Sequence, residues 1–92
     1  MKNIEENIRI MKILTNSNRL CIVEVLLASK KDMCVKEIAM SVDISQSLAS
    51  HQLAYLSAYE VIEGHRMGNT ICYIPARNPF AQKVFRVIKM LL

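Results

Sequence analysis

The side chains best suited to chemistry in this sequence form one uncharged polar face within the stretch Asp43–Tyr59 (DISQSLASHQLAYLSAY). Apolar residues recur in this stretch at helix spacings of one, four and three, which predicts an α-helix that buries one side. The opposite side carries polar residues without a charge, namely Gln46, Ser47, Ser50, His51 and Gln52. Such a face suits a surface lined with hydrogen-bonding edges, and the base edges in a DNA major groove form one.

A shorter helical run and a tight turn precede the polar helix and must position it. The shorter run is Lys36–Val42, and the turn is Asp43-Ile44-Ser45. Ser45 can cap the longer helix, because its hydroxyl can accept a hydrogen bond from an unpaired backbone N–H of the first turn. A short helix, a tight turn and a longer helix predict a helix-turn-helix over residues 35–59, with Ser45 among its DNA-contacting residues.

Two short strands follow and predict a β-hairpin wing over residues 61–74. Val61–Met67 and Thr70–Ile74 contain β-branched and aromatic residues, and Gly68-Asn69 between them is a two-residue hairpin signal. Arg66 falls near the tip of this hairpin, where a guanidinium can contact a DNA phosphate.

Apolar stripes mark the first and last helices, which are predicted over residues 4–14 and 79–92. Apolar types make up 52% of the 92 residues, which is more than a single small core can hide. We therefore predict a homodimer that buries the surplus apolar surface of these two helices. The alternative is that the first helix packs onto its own domain.

A net charge of +4 permits nucleic-acid binding, although many proteins that bind no nucleic acid share such a charge. Lys31 and Lys36 are candidate phosphate contacts beside the helix-turn-helix. The charged loop Lys30–Asp32 has a second interpretation as a solvated connector.

The chain has no apolar run long enough to span a bilayer, and its first residues, MKNIEEN, are acidic, unlike a signal peptide. We therefore expect a cytoplasmic protein without a membrane partner. An odd number of cysteines at wide spacing is not a disulfide framework. In a reducing compartment we expect Cys21, Cys34 and Cys72 to be thiols.

An enzyme would need a nucleophile beside a base, or paired carboxylates, within a cleft. The acidic residues of this chain are scattered over helix starts and loops, and neither histidine has a partner that the sequence positions. We therefore predict that the chain is not an enzyme. His51 could also be a metal ligand or proton relay, but its place in the polar face favours DNA contact.

Three segments resemble the ArsR/SmtB family of bacterial winged-helix repressors. Ile44–Ser47 with Ser50–Leu53 resembles the family's recognition helix. Leu14–Leu27 resembles its Leu-x-x-x-x-Arg-Leu-x-Ile helix, and Val61–Ile74 resembles its wing. The resemblance implies a mainly α fold with a small β-hairpin, namely a winged helix-turn-helix homodimer joined through the first and last helices. It also implies a repressor that binds double-stranded DNA at an inverted-repeat operator.

Many members of this family sense metals, and the resemblance implies two usual metal sites. One is built from Cys-Val-Cys and a further Cys around the short helix, where this chain has Cys34, Val35, Lys36 and later Ala39. The other uses Asp, His and Glu of the last helix, but Asn78–Leu92 contains none of these and no Cys. A tetrahedral metal needs three or four ligands, so we predict neither a metal site nor another cofactor.

Some relatives sense oxidants or sulfur species through cysteines of the second and last helices, at positions without a cysteine here. We rank Cys34 first as a possible thiol sensor, because it falls at the start of the short helix near Lys31 and Lys36. Cys21 ranks second and Cys72 last. The alternative for each is a small, inert apolar residue.

Glu60 stands where the family usually has glycine, just after the polar helix. If the family's turn is kept, Glu60 must adopt a left-handed conformation that costs a non-glycine residue on the order of 1 kcal/mol. Otherwise the turn is rearranged, or the helix runs on by one residue.

The leading prediction is a sequence-specific transcriptional regulator that represses a promoter by steric blocking. The alternative is a winged-helix module that binds protein instead of DNA, because an uncharged helix face can also contact a protein. The operator sequence and the inducer do not follow from the sequence.

Overall fold

Residues 2–92, the part of the chain that the computed structural model describes, form five helices and three short strands. The helices are α1 (Lys2–Leu14), α2 (Ser17–Ala28), α3 (Val35–Val42), α4 (Gln46–Ala58) and α5 (Pro79–Leu91). The strands are β1 (Met33–Cys34), β2 (Ile62–Met67) and β3 (Thr70–Pro75). This order confirms the predicted mainly α winged helix-turn-helix. Within these residues, no helix combines the length and the apolar character needed to cross a bilayer.

The strands form one antiparallel sheet in the order β1-β3-β2. β2 and β3 make the predicted hairpin, and Gly68 in its turn has a positive φ of 66°, which glycine adopts without a Cβ penalty. The sequence does not predict β1, because Met33-Cys34 reads as a connector to α3. It pairs with Tyr73 and Cys72 of β3. A two-residue strand has no periodicity of its own, so only its partner reveals it.

One hydrophobic core lies between the helices and the sheet. Its largest fully buried side chains come from every helix and include Ile13, Ile22, Leu26, Ile38, Leu53, Leu56 and Ile88. Full burial of one such side chain contributes roughly 1.5–3 kcal/mol. The buried stripe of α4 therefore fixes which side of that helix faces solvent.

Side-chain caps define where α2, α4 and α5 begin, and the sequence predicts the one at Ser45. Asn16, Ser45 and Asn78 each accept a hydrogen bond from the backbone N–H three residues on, at 3.0, 3.0 and 2.8 Å. Pro79 occupies the first position of α5, where a missing N–H costs no helical hydrogen bond. Each cap stabilises its helix by about 0.5–2 kcal/mol relative to alanine.

The turn after α4 keeps the family's geometry, so Glu60 takes the strained conformation and not one of the two alternatives. Glu60 is left-handed, with φ of 61°. The backbone N–H of Val61 donates to the carbonyl of Leu56 at 3.0 Å, and the N–H of Glu60 donates to Ser57 at 2.9 Å. These two bonds form a Schellman motif, which satisfies the last carbonyls of the helix. The carbonyl of Glu60 in turn accepts a hydrogen bond of 2.8 Å from Nδ2 of Asn78.

Cys34 and Cys72 are joined by a disulfide bond, which contradicts the prediction that all three cysteines are thiols. The two residues are direct cross-strand partners in β1 and β3, although 38 residues separate them along the chain. The prediction failed because it rested on cysteine spacing without the pairing of β1. Cys21, on α2, is free and exposed.

α1 packs beside α5 and leaves an apolar stripe on its own outer side. Oε1 of Glu6 lies 2.8 Å from Nζ of Lys83, and the guanidinium of Arg9 lies 5.5 Å from the centre of the Phe80 ring. The exposed stripe of α1 consists of Ile4, Ile8 and Met11.

Candidate nucleic-acid interface

The turn between α3 and α4 joins the two helices into one packed unit. Asp43 ends α3 in the left-handed conformation, with φ of 57°, which aspartate tolerates better than most residues other than glycine. The N–H of Ile44 then donates to the carbonyl of Ala39 at 3.0 Å. Ile38 of α3 and Leu53 of α4 are buried in the same core. The turn and the shared core therefore hold α3 against α4.

α4 presents most of the predicted readout side chains to solvent. Gln46, Ser47, Ser50 and His51 are all exposed, and their helical spacing places them on one face. Ser45 is exposed as well, but its hydroxyl oxygen already accepts from the N–H of Leu48. Its O–H can still donate, because a hydroxyl carries one donor besides its two lone pairs.

The prediction that Gln52 faces DNA is wrong. Its side chain is only 6% exposed, and its Oε1 accepts a hydrogen bond of 2.9 Å from Nε of Arg19. The position of Gln52 on the helix, and not its polar side chain, decides that it is buried. It lies three residues after Ala49 and four before Leu56, which are both fully buried, so all three share one face of the helix. Gln52 therefore orients α4 and has no access to base edges.

Arg19 of α2 connects three helices, a role that the sequence does not indicate. Besides its bond to Gln52, it donates from Nη1 to the backbone carbonyl of Lys12 at 3.2 Å. Its guanidinium carbon lies 3.5 Å from the centre of the Tyr55 ring, an attractive contact between a cation and an aromatic face. The sequence draws attention to Arg19 only through the Leu-x-x-x-x-Arg-Leu-x-Ile pattern, and that pattern by itself predicts only a helix.

Tyr55 and Tyr59 lie together on α4, with ring centres 4.7 Å apart and ring planes inclined by 40°. Burial raises the pKa of Tyr55 above its ordinary value, the hydrogen bond with Tyr59 adds to the rise, and the charge of Arg19 opposes it. Tyr55 is therefore neutral at physiological pH. Its contact with Arg19 is one between a cation and an aromatic ring, not an ion pair.

The predicted phosphate contacts are exposed cations on three separate segments. Arg66 lies on β2 opposite Ile71, one residue before the end of the strand. Lys31 lies in the loop before β1, and Lys36 is the second residue of α3. Within the part of the chain that the structure describes, none of these three side chains forms a salt bridge. Their charges are available to an anionic partner.

The bonded cysteines lie where the helix-turn-helix meets the wing. Cys34 is the half-buried N-cap residue of α3, and its N–H donates to Oε1 of Glu37 at 2.9 Å. Cys72 of β3 is 1% exposed. Among residues 2–92, no group of three or more His, Cys, Asp or Glu side chains could hold a metal ion.

Residues 16–63 match the sequence model of the bacterial regulatory protein, arsR family. The matched segment begins at the cap of α2 and ends in the first residues of β2. It therefore contains both helices of the helix-turn-helix.

Individual relatives agree with this match. The cadmium resistance transcriptional regulatory protein CadC of Listeria innocua is 37% identical over 62 residues, which are 67% of this chain and 51% of the relative. The chain thus spans about half the length of the curated relatives it matches.

Solved structures extend the likeness to the whole fold. The AntR antimony-specific transcriptional repressor superposes with a TM-score of 0.82 at 27% identity, over 94% of this chain and 73% of that one. A homodimeric winged helix-turn-helix domain from Mycobacterium bovis, a possible ArsR-family regulator, superposes with a TM-score of 0.79. It is 24% identical and covers 98% of this chain and 82% of its own, so it shows the fold alone.

Proposed function

This chain belongs to the ArsR family of bacterial regulatory proteins, and we propose that it is a transcriptional repressor that binds double-stranded DNA sequence-specifically and has no enzymatic activity. The observation that carries the proposal is the exposed, uncharged polar face of α4, directly after the helix-turn-helix turn. A solvated helix face normally carries charges, whereas neutral amides and hydroxyls can also pair with base edges in the major groove.

Base readout is assigned to Gln46, Ser47, Ser50 and His51. Gln46 is the first residue of α4, and the N-terminal residues of a recognition helix are the ones that contact base edges. Its amide offers a donor and an acceptor together, which matches N6 and N7 of adenine. The two serines and the histidine lie further along the same face and can reach neighbouring base pairs.

Phosphate contacts are assigned to Arg66, Lys31 and Lys36, with the O–H of Ser45 as a neutral addition. The three cations are exposed on the wing, in the loop before β1 and on α3. Contacts of this kind position a protein on the duplex without reading its sequence. They also make the affinity fall as salt rises.

The repressor acts as a homodimer joined through α1 and α5. In support, Ile4, Ile8 and Met11 of α1 are 54%, 44% and 55% exposed, an apolar stripe that water would otherwise cover. A groove lined in part by Leu14 and Val87 runs between the two helices beside this stripe. A two-fold dimer would place the two copies of α4 in successive major grooves, so its operator would be an inverted repeat.

We propose that the chain senses no metal at the two sites that its family implies. Around α3, Cys34 is the one thiol at those positions and is bonded to Cys72, while Lys36 presents a cation. The exposed side of α5 carries Gln82, Arg86 and Lys89. Neither set fits a tetrahedral metal, which needs three or four anionic or imidazole ligands. These residues fit control of DNA binding by thiol chemistry at Cys34 better than control by a metal. Cys21 is the second candidate for such a thiol.

The test selects duplexes from a randomised pool with the full chain and then measures affinity at several salt concentrations. We expect the recovered sites to share an inverted repeat, and the logarithm of the binding constant to fall steeply as the logarithm of salt concentration rises. Arg66→Ala should weaken all sequences alike and flatten that slope by about one phosphate contact. Arg77→Ala, which removes an equal charge beyond the base of the wing, is the control. A pool without enriched sites, or binding that ignores salt, would favour a protein-binding module.

A further inference from the structure

We infer that Cys34 and Cys72 form a redox-active thiol pair, which a hydroperoxide oxidises to the disulfide, and that this bond lowers the affinity of the chain for DNA. The inference rests on the proposed function and specifies how it is controlled. The two residues are direct partners in the register of β1 and β3, and their sulfur atoms are bonded. No movement of distant segments is needed to bring them together.

The two sulfurs have different access to solvent and therefore different roles. Cys34 is half-buried and is the N-cap residue of α3, beside the unpaired backbone N–H groups and the positive end of the helix dipole, which favour a thiolate. Cys72 is 1% exposed, so a reagent in solution meets Cys34 first. Cys34 is the residue that reacts with the oxidant, and Cys72 is the residue that resolves the product.

The oxidation balances in two steps. The Cys34 thiolate attacks one oxygen of the hydroperoxide, the O–O bond breaks, and the departing alkoxide or hydroxide takes up a proton, which leaves a sulfenic acid on Cys34. The sulfur of Cys72 then attacks that of Cys34, the S–O bond breaks, and the hydroxide leaves as water with the proton of the Cys72 thiol. Two thiols thus lose two electrons to the peroxide. A small thiol reverses the change by exchange at the more accessible Cys34.

Glu37 places a carboxylate beside Cys34 at the start of α3. Its Oε1 accepts from the backbone N–H of Cys34 at 2.9 Å, which places a negative charge at the same helix start. A carboxylate repels a neighbouring thiolate, so removal of this charge should speed the oxidation of Cys34. Glu37→Gln keeps an oxygen acceptor for the N–H while removing the charge.

The bond joins the two parts of the molecule assigned to DNA. Cys34 is the N-cap residue of α3, and the tight turn at Asp43 and a shared core hold α3 against α4. Cys72 lies in β3, opposite His65 and next to the pair formed by Ile71 and Arg66. The bond ties the start of α3 to β3, and its reduction removes that link between the recognition helix and the wing. A disulfide in a DNA-binding protein of a reducing compartment is typically transient and redox-sensing, not structural.

The first arm of the experiment follows the chemistry without DNA. The full chain is reduced, treated with equimolar hydrogen peroxide, digested with trypsin and analysed by mass spectrometry. We expect the peptide of residues 32–36 to be linked to that of residues 67–77 with the loss of two hydrogens, in the wild type and in Cys21→Ser. Glu37→Gln should form the link faster. A link through Cys21, or an over-oxidised Cys34 without a link, would overturn the thiol pair.

The second arm measures affinity before and after peroxide, on a duplex selected from a random pool by the reduced wild type. Oxidation should weaken binding by about tenfold or more in the wild type and in Cys21→Ser. Cys34→Ser and, separately, Cys72→Ser should keep their own affinity through the same treatment, so each variant serves as its own reference. If the reduced and the oxidised wild type bind DNA equally well, the disulfide does not control DNA binding. The same conclusion follows if Cys72→Ser loses as much affinity on peroxide treatment as the wild type does. A reduced protein that retains no duplex would instead reject the proposed repressor, while the first arm still decides the chemistry.

Discussion

Among single residues, Gln46 offers the sharpest test of base readout because it is exposed at the start of α4. Gln46→Ala should lose about 1–3 kcal/mol of binding free energy on the selected operator and relax specificity at one base pair. The matched control is Gln82→Ala, which removes an exposed amide from α5. Fluorescence anisotropy on the operator and its single-base variants measures both. An equal loss in the two variants would exclude a readout role for Gln46.

Arg19 is the residue whose loss should affect stability most directly. Its removal leaves the buried Oε1 of Gln52 without a partner, so Arg19→Ala should lower the free energy of unfolding by about 1–3 kcal/mol. Arg19→Lys should not restore it, because an ammonium cannot reproduce the contacts of the guanidinium to Gln52, Tyr55 and Lys12. Urea titration measures the change, with Arg77→Ala as the control. A loss no larger than that of the control would show that Arg19 does not hold α4.

At the scale of elements, the turn after α4 determines where the wing begins, and Glu60 strains that turn. A left-handed residue other than glycine costs roughly 1–2 kcal/mol, and glycine gives back roughly 0.4–1 kcal/mol through the entropy of the unfolded chain. Glu60→Gly should therefore raise the free energy of unfolding by about 0.5–1 kcal/mol.

The control for this prediction makes the same chemical change in an extended strand. Glu63 is exposed on β2, where glycine brings only its entropic cost, so Glu63→Gly should lower stability. Chemical denaturation of both variants gives the comparison. If the two changes have the same sign, the left-handed conformation of Glu60 carries no measurable strain.

For the whole molecule, assembly depends on the exposed stripe of α1. Met11→Glu places a charge within the proposed dimer interface and should convert the dimer to a monomer at micromolar concentration. Met67→Glu is the matched control, because Met67 is 51% exposed at the end of the wing strand and Met11 is 55% exposed. Light scattering after gel filtration measures the mass of each. A monomeric wild type, or an equal effect of both substitutions, would argue against this interface.

The features that the sequence determined by itself are local ones. Asn16, Ser45 and Asn78 each cap a helix by accepting a hydrogen bond from a backbone N–H three residues away. Gly68 lies in the turn between β2 and β3 and has a positive φ. The interactions that decide such features lie within one helical turn, so residue type and spacing suffice to predict them. The helix-turn-helix and the exposed part of the α4 face follow from the same local rules.

Only the tertiary structure decided which polar residues of the site are buried and which cysteines meet. The hydrogen bond between Arg19 and Gln52 joins residues 33 apart, and the bond between Cys34 and Cys72 joins residues 38 apart. Contacts over such separations depend on how α2 packs against α4 and on the register of β1 with β3. Neither leaves a periodic trace in the sequence, because packing and register are set by the shape of the whole core.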